Sequence, residues 1–182
     1  MVAAPKSRHM PQSPRVQAKS GHSVAAKSIE LMPGDVAFAT AGDEMKTLLG
    51  SCVSIILTDP RRTVGSMCHI VHVGTPNQEN RHNTAFGLVA MEAMFAKLLA
   101  VGIPAQRCEA YVYGGGNMFP DIVNERSVGD RNAQWALDFL ADHGIAVVES
   151  ALGGTGYRKV SWRVGRSSPT VVNASNEVGD IQ

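Results

Sequence analysis

The stretch from Thr47 to His72 constrains this chain more than any other. It reads Thr47-Leu48-Leu49-Gly50-Ser51-Cys52-Val53-Ser54-Ile55-Ile56-Leu57, then a polar turn Thr58-Asp59-Pro60-Arg61-Arg62, then Val64-Gly65-Ser66-Met67-Cys68-His69-Ile70-Val71-His72. Two β-rich runs around a proline-bearing turn predict a hairpin. A hairpin brings its ends together. Antiparallel pairing about a turn near Pro60 to Thr63 places Cys52, entering the first strand, roughly opposite His69 in the second. A thiol facing an imidazole is the minimal unit of cysteine nucleophilic catalysis, because the base takes the thiol proton and the thiolate then attacks.

Strand periodicity limits the partners. Met67, His69 and Val71 share one face, while Cys68, Ile70 and His72 share the other, so Cys68 cannot pair sideways with His69 and reads as a small apolar core residue. Cys52 follows Gly50-Ser51, where the backbone can turn sharply and present amide N–H groups beside the sulfur as oxyanion donors. The residues alone leave two readings of Cys52, nucleophile or buried structural cysteine, and two of His69, base or satisfied core histidine. Cys52, Cys68, His69, His72 and His82 lie close enough in sequence to raise a metal site. Two histidines three apart fall on opposite faces of a strand, however, and no Cys-x-x-Cys occurs, so no metal is expected. Gly114-Gly115-Gly116 lacks a following Lys-Ser/Thr and does not match G-x-G-x-x-G. It reads as a strand-ending turn whose φ values need glycine rather than as a phosphate cradle.

A chain of 182 residues with 44% hydrophobic content suits one domain. Residues 1–28 hold Lys6, Arg8, Arg15, Lys19 and Lys27 with no acid, leaving 12 basic and 16 acidic residues, about −4, for the rest. That balance argues against a nucleic-acid surface on the body. With Pro5, Pro11 and Pro14 and no apolar period, residues 1–28 are expected to form a disordered basic arm, 29–173 the single folded domain and 174–182 a frayed tail. Nothing resembles a secretory h-region or a run of about 20 apolar residues, so no membrane insertion is expected. Three cysteines without paired spacing point to a reduced, cytoplasmic protein.

Short strands are expected over Ser28 to Thr40 around Pro33-Gly34, and again at Cys108 to Tyr113, Ile145 to Ser150, Lys159 to Val164 and Thr170 to Asn173. One helix is expected from an Asn83 N-cap to about Val101. A second runs from Ser127, whose spacing to Asp130 resembles a capping box, to Gly144. The order of elements predicts an α+β fold, a mixed or antiparallel sheet core with two helices packed on it rather than alternating βαβ winding.

Seven motifs in order, Leu49-Gly50-Ser51-Cys52-Val53, Asp59-Pro60, Gly65-Ser66-Met67-Cys68-His69, Asn83-Thr84, Gly114 to Phe119, Val128-Gly129-Asp130-Arg131-Asn132, and Gly153-Gly154 with Arg158-Lys159-Val160, resemble the CheD chemoreceptor glutamine deamidases of bacterial chemotaxis. The similarity covers about Ile29 to Val172. It implies a β-sandwich-like core flanked by helices, related in architecture to toxin deamidases. The implied activity is hydrolysis of selected glutamine side chains to glutamate on the cytoplasmic helices of methyl-accepting chemotaxis receptors, with no cofactor. The implied nucleophile falls on Cys52, the base on His69 and a third polar residue on Thr47, with Gly50 and Ser51 as backbone support for the oxyanion. Ala151 departs from the family, which often has an acidic residue before the Gly-Gly pair. The runner-up reading is a regulatory binding module that docks on receptors or on a CheC-type phosphatase with little catalysis.

Overall fold

A computed structural model describes residues 25–121 and 126–174. Most of the expected basic arm and C-terminal tail lies outside these residues, while Ser28 opens the first strand and Ala174 closes the last. The strands are β1 (Ser28–Leu31), β2 (Val36–Thr40), β3 (Glu44–Leu49), β4 (Val53–Thr58), β5 (Val64–Cys68), β6 (Glu109–Gly114), β7 (Ala146–Leu152), β8 (Tyr157–Arg163) and β9 (Thr170–Ala174). The helices are α1 (Gly87–Leu99) and α2 (Val128–Asp142).

The strands form two sheets, ordered β1-β3-β8-β9 and β2-β5-β4-β6-β7. Both are mixed, because β1 runs parallel to β3 and β6 parallel to β7, while the remaining pairs are antiparallel. The β6–α2–β7 segment is thus a βαβ crossover inside a fold otherwise built from antiparallel pairs. Both helices pack on the five-stranded sheet, α1 against β5 and β2, and α2 against β6, β4 and β7. The layers are helices, five-stranded sheet, four-stranded sheet, which is the expected α+β sandwich with its helices on one side.

β4 shows why this stacking follows from sequence. It sits inside the five-stranded sheet with cover on both faces, so every one of its residues is buried. Its alternation sorts them: Val53, Ile55 and Leu57 pack with Met91, Met94, Leu98 and Leu140 under the helices. Ile56 instead joins Met45, Leu49, Met67, Tyr111 and Trp162 between the sheets. The expected hairpin is present, with Ile56 opposite Met67 and Thr58 opposite Gly65. Asp59 closes its turn by accepting from the amides of Thr63 (2.7 Å) and Val64 (3.1 Å).

Two expectations need correction. The apolar run Thr47 to Leu57 is not one strand but two, β3 in one sheet and β4 in the other, joined by a corner at Gly50-Ser51-Cys52. Asn83 does not cap α1. It accepts from Ala85 N at 2.9 Å in a turn of its own, and the helix starts after Phe86, which supplies no side-chain cap. The cause is non-local: Ala85 O accepts from Val71 and His72, and Gly87 N donates to His72 O, pinning this segment to the exit of β5. Ser127 does cap α2 as expected, with its hydroxyl accepting from Asp130 N and its own amide donating to Asp130 Oδ2, both at 3.1 Å.

Gly65 lets the two layers approach, since a Cβ there would lie 2.2 Å from the ring of buried Trp162. Gly65→Ala is expected to cost about 1–3 kcal/mol through overpacking, read as a lower urea midpoint at unchanged slope; an unchanged midpoint would contradict this account of the interlayer packing.

Candidate active site

The corner between β3 and β4 is held by its carbonyls. Gly50 O accepts from Gly116 N and Cys52 O from Gly115 N, both at 2.8 Å, while Ser51 O accepts from Asn132 Nδ2 at 3.0 Å. The triple glycine does end β6, as expected. Gly114 (φ +110°) and Gly115 (φ +65°) adopt conformations that favour glycine, and a Cβ on Gly114 would lie 2.2 Å from Cys52 O. Its second task, binding the cysteine corner, was not visible in the sequence. With the three carbonyls turned toward the glycine turn and α2, the amides of Ser51 and Cys52 donate no hydrogen bond among the described residues. They remain available to an incoming oxyanion.

His69 follows β5 and is buried on the face between the sheets. Its backbone is fixed on both sides, His69 N donating to Asp35 O at 3.0 Å and His69 O accepting from Gly34 N at 2.8 Å. Its ring reaches the other sheet, where Nδ1 lies 2.8 Å from Thr47 Oγ1. Thr47 Oγ1 in turn donates to Leu31 O at 2.9 Å. A hydroxyl has one proton, so Thr47 accepts from His69, and the imidazole carries its proton on Nδ1. Nε2 is left with the lone pair a general base needs.

The register refines the expected pairing. The β4–β5 pairing ends at the bridge between Val53 and Ile70. Extending that register puts Cys52 across from Val71, so His69 is its diagonal neighbour on the same face rather than its direct opposite. Diagonal positions of an antiparallel pair lie about 7–8 Å apart, within reach of long side chains. The structure therefore joins Thr47 to His69 directly and places half-buried Cys52 on the face they share.

Electrostatics keep both groups neutral at rest. Burial pushes the Cys52 thiol above its ordinary value. Burial lowers the His69 pKa, opposed by the Leu31 carbonyl and the charge of Asp35. Cys68 behaves as the core residue expected: it is fully buried, lies 3.6 Å from Ile55 O, and has its pKa pushed up to about 12. The histidines that sequence proximity offers as ligands are separated. His72 tilts against Phe86 at 5.1 Å, and His82 accepts from Arg81 Nε at 3.0 Å. Among the described residues no group of three or more His, Cys, Asp or Glu is placed to hold a metal ion.

A cavity of about 170 Å³ opens beside Ser51, lined by Asn117, Met118, Phe119, Val128 and Asp130. Asn132, named in the sequence only as part of a motif, is buried on α2 behind the corner, a placement the motif did not reveal. A signal existed, because an asparagine inside a helix and on its apolar side is disfavoured unless its amide has partners.

The family described as CheD chemotactic sensory transduction matches residues 72–171, a window that begins just after His69. The chain is 37% identical over 140 residues, 75% of its length and 81% of the relative's, to the probable chemoreceptor glutamine deamidase CheD 2 of Albidiferax ferrireducens. It is 37% identical over 139 residues to the probable chemoreceptor glutamine deamidase CheD of Agrobacterium fabrum, covering 76% of this chain and 75% of that one. It is 33% identical over 140 residues to the protein of the same description from Pseudomonas savastanoi, covering 75% and 79%. A solved DUF152 protein of Neisseria meningitidis gives a TM-score of 0.43 at 13% identity over 72% of this chain and 65% of that one, too distant to argue from.

Exposure ranks the three thiols. Cys68 and Cys108 are buried, with pKa values pushed up to about 12 and about 11, whereas Cys52 is half-buried. Iodoacetamide is expected to label Cys52 at least about tenfold faster than the others, with a rate still rising above pH ~8.5. Peptide mass spectrometry reads the order, and equal rates would contradict it.

Proposed function

This chain belongs to the CheD family, and we propose that Cys52, His69 and Thr47 are the machinery with which it hydrolyses glutamine side-chain amides of chemoreceptors to glutamates. The observation that carries the site assignment is the Thr47–His69 contact at 2.8 Å, which leaves Nε2 as the base on the face Cys52 shares. A protein that only docked on receptors would have no need of an imidazole whose tautomer is fixed beside a thiol.

The chemistry follows from these groups. His69 Nε2 takes the Cys52 proton as the sulfur attacks the glutamine Cδ, and the carbonyl oxygen becomes an oxyanion that the amides of Ser51 and Cys52 receive. Collapse of this adduct expels ammonia, which takes its proton from the His69 imidazolium. A water molecule, deprotonated by the same nitrogen, attacks the thioester, and the thiol recovers its proton as glutamate leaves. Overall, one amide and one water become one carboxylate and one ammonium. Because both groups start neutral, the ion pair forms only with attack, and the buried setting that opposes free thiolate also strengthens the oxyanion contacts. The substrate lies on the receptors' cytoplasmic helices, so the enzyme acts in the cytoplasm.

The test is ammonia release and amide-to-acid mass change on a purified receptor cytoplasmic fragment. Cys52→Ala is expected to abolish conversion, His69→Ala to lower it by on the order of 10²–10⁴, and Thr47→Val by about tenfold, the weight of one buried hydrogen bond. Full activity in Cys52→Ala or His69→Ala would refute the assignment. The lowered His69 pKa means that the neutral base persists as pH falls to its ordinary value, so kcat/KM is expected to hold down to about pH 6.5 and decline only below it. An acid limb centred above that pH would overturn the role of His69.

A further inference from the structure

At the Val53–Ile70 pair, Val53 N donates to Ile70 O at 3.0 Å and Ile70 N to Val53 O at 2.8 Å. In an antiparallel ladder the next doubly bonded pair would join Ser51 to His72. It does not form, because His72 N donates instead to Ala85 O at 3.0 Å, as Val71 N does at 2.9 Å. The two chains therefore part beside Cys52. Ser51 O is left without the His72 N–H that a continued ladder would supply, and Val71 O, which faces away from β4 in that register, accepts from no backbone amide among the described residues.

Asn132 fills that gap. Its Nδ2 donates to Ser51 O at 3.0 Å and to Val71 O at 3.3 Å, and the residue is only 2% exposed. An amide –NH2 carries two protons, so one group serves both acceptors at once. We propose that Asn132 is a positioning residue of the deamidation site, a clip that fixes the corner carrying Cys52 relative to the strand exit carrying His69; the proposal rests on the Cys52–His69 reading above.

Peptide planarity extends the effect to the oxyanion donor. Within the Ser51–Cys52 peptide the C=O and N–H point in opposite directions, so holding Ser51 O in place aims the Cys52 N–H. The short reach of asparagine is matched by the docking of α2. Gly129 lies against the glycine turn so closely that a Cβ there would sit 2.4 Å from the carbonyls of Gly115 and Gly116. The same turn binds Gly50 and Cys52 through its amides. Helix, turn and corner therefore form one unit, and Asn132 is its link to the β5 exit.

The test compares wild type with Asn132→Leu, of similar size and without donors, and Asn132→Ser, which keeps one shorter donor. Ala136→Gly, a buried site on the same helix, serves as a control for lost stability. Deamidation of the receptor fragment is expected to fall about 10–100-fold in kcat for Asn132→Leu and less for Asn132→Ser, with KM within about threefold, as misplacement of reacting groups predicts. The pH profile of Cys52 alkylation is expected to shift in both Asn132 variants and to stay in place in Ala136→Gly at equal loss of thermal midpoint. Wild-type kcat and alkylation profile in both Asn132 variants would overturn the clip, as would losses that Ala136→Gly reproduces. If wild type itself converts no glutamine, the Cys52–His69 reading fails. The alkylation profile still decides the clip in that case, because it needs no substrate.

Discussion

Everything at the site depends on the chain passing from one sheet to the other within three residues, Gly50 to Cys52. A strand that changes sheets cannot keep ladder partners through the turn, so each carbonyl of the corner needs a donor from elsewhere. The glycine turn after β6 supplies two and α2 supplies the third. That debt of backbone hydrogen bonds explains why distant segments converge on the cysteine. It also explains the free amides: once the carbonyls face inward toward their donors, the N–H groups of Ser51 and Cys52 are left on the other side. The proposed nucleophile and its proposed oxyanion donors are one structural consequence, not two.

The proposed base, His69, is held by the complementary device. His69 stands on the five-stranded sheet and is oriented by Thr47 and Leu31 of the four-stranded one. Its tautomer is therefore fixed by the packing of two layers, and any slippage between them would release it. Glycine at position 65 and the Trp162 ring against it help to set that spacing. Interlayer packing, which contributes to stability everywhere in the sandwich, here also decides which imidazole nitrogen is basic.

What the sequence made legible was what short-range physics decides. The β4–β5 hairpin could be read from alternation and its Asp59-Pro60 turn, and the α2 start from Ser127 and Asp130, because those hydrogen bonds close within a few residues. The face assignments that separated Cys68 from His69 also came from the strand period alone. The start of α1 was misplaced because Ala85 and Gly87 are bound by Val71 and His72, partners no local pattern announces. Gly50-Ser51 announced a turn, but the change of sheet there was not legible, since β3 and β4 are both core strands and differ only in the sheet they join. The placement of Asn132 was not legible because its two acceptors lie 61 and 81 residues away. The motif-level resemblance carried Thr47, Cys52 and His69 together, while the diagonal relation of the last two needed the register.

Such spacing along the chain makes the site a late product of folding. Leu31, Thr47, Cys52 and His69 are synthesised well before Gly115 and Asn132, so a growing chain carries the thiol and the imidazole long before the segments that set them in place exist. Contacts of high sequence separation form slowly, after loop closure has been paid for. Until α2 docks, the Ser51 carbonyl lacks its donor and the amide beside the Cys52 sulfur is not aimed. On the proposed site, hydrolysis therefore requires the glycine turn and α2 to be in place, so a chain cut short of Asn132 lacks part of the machinery with which it would meet the glutamines of other proteins.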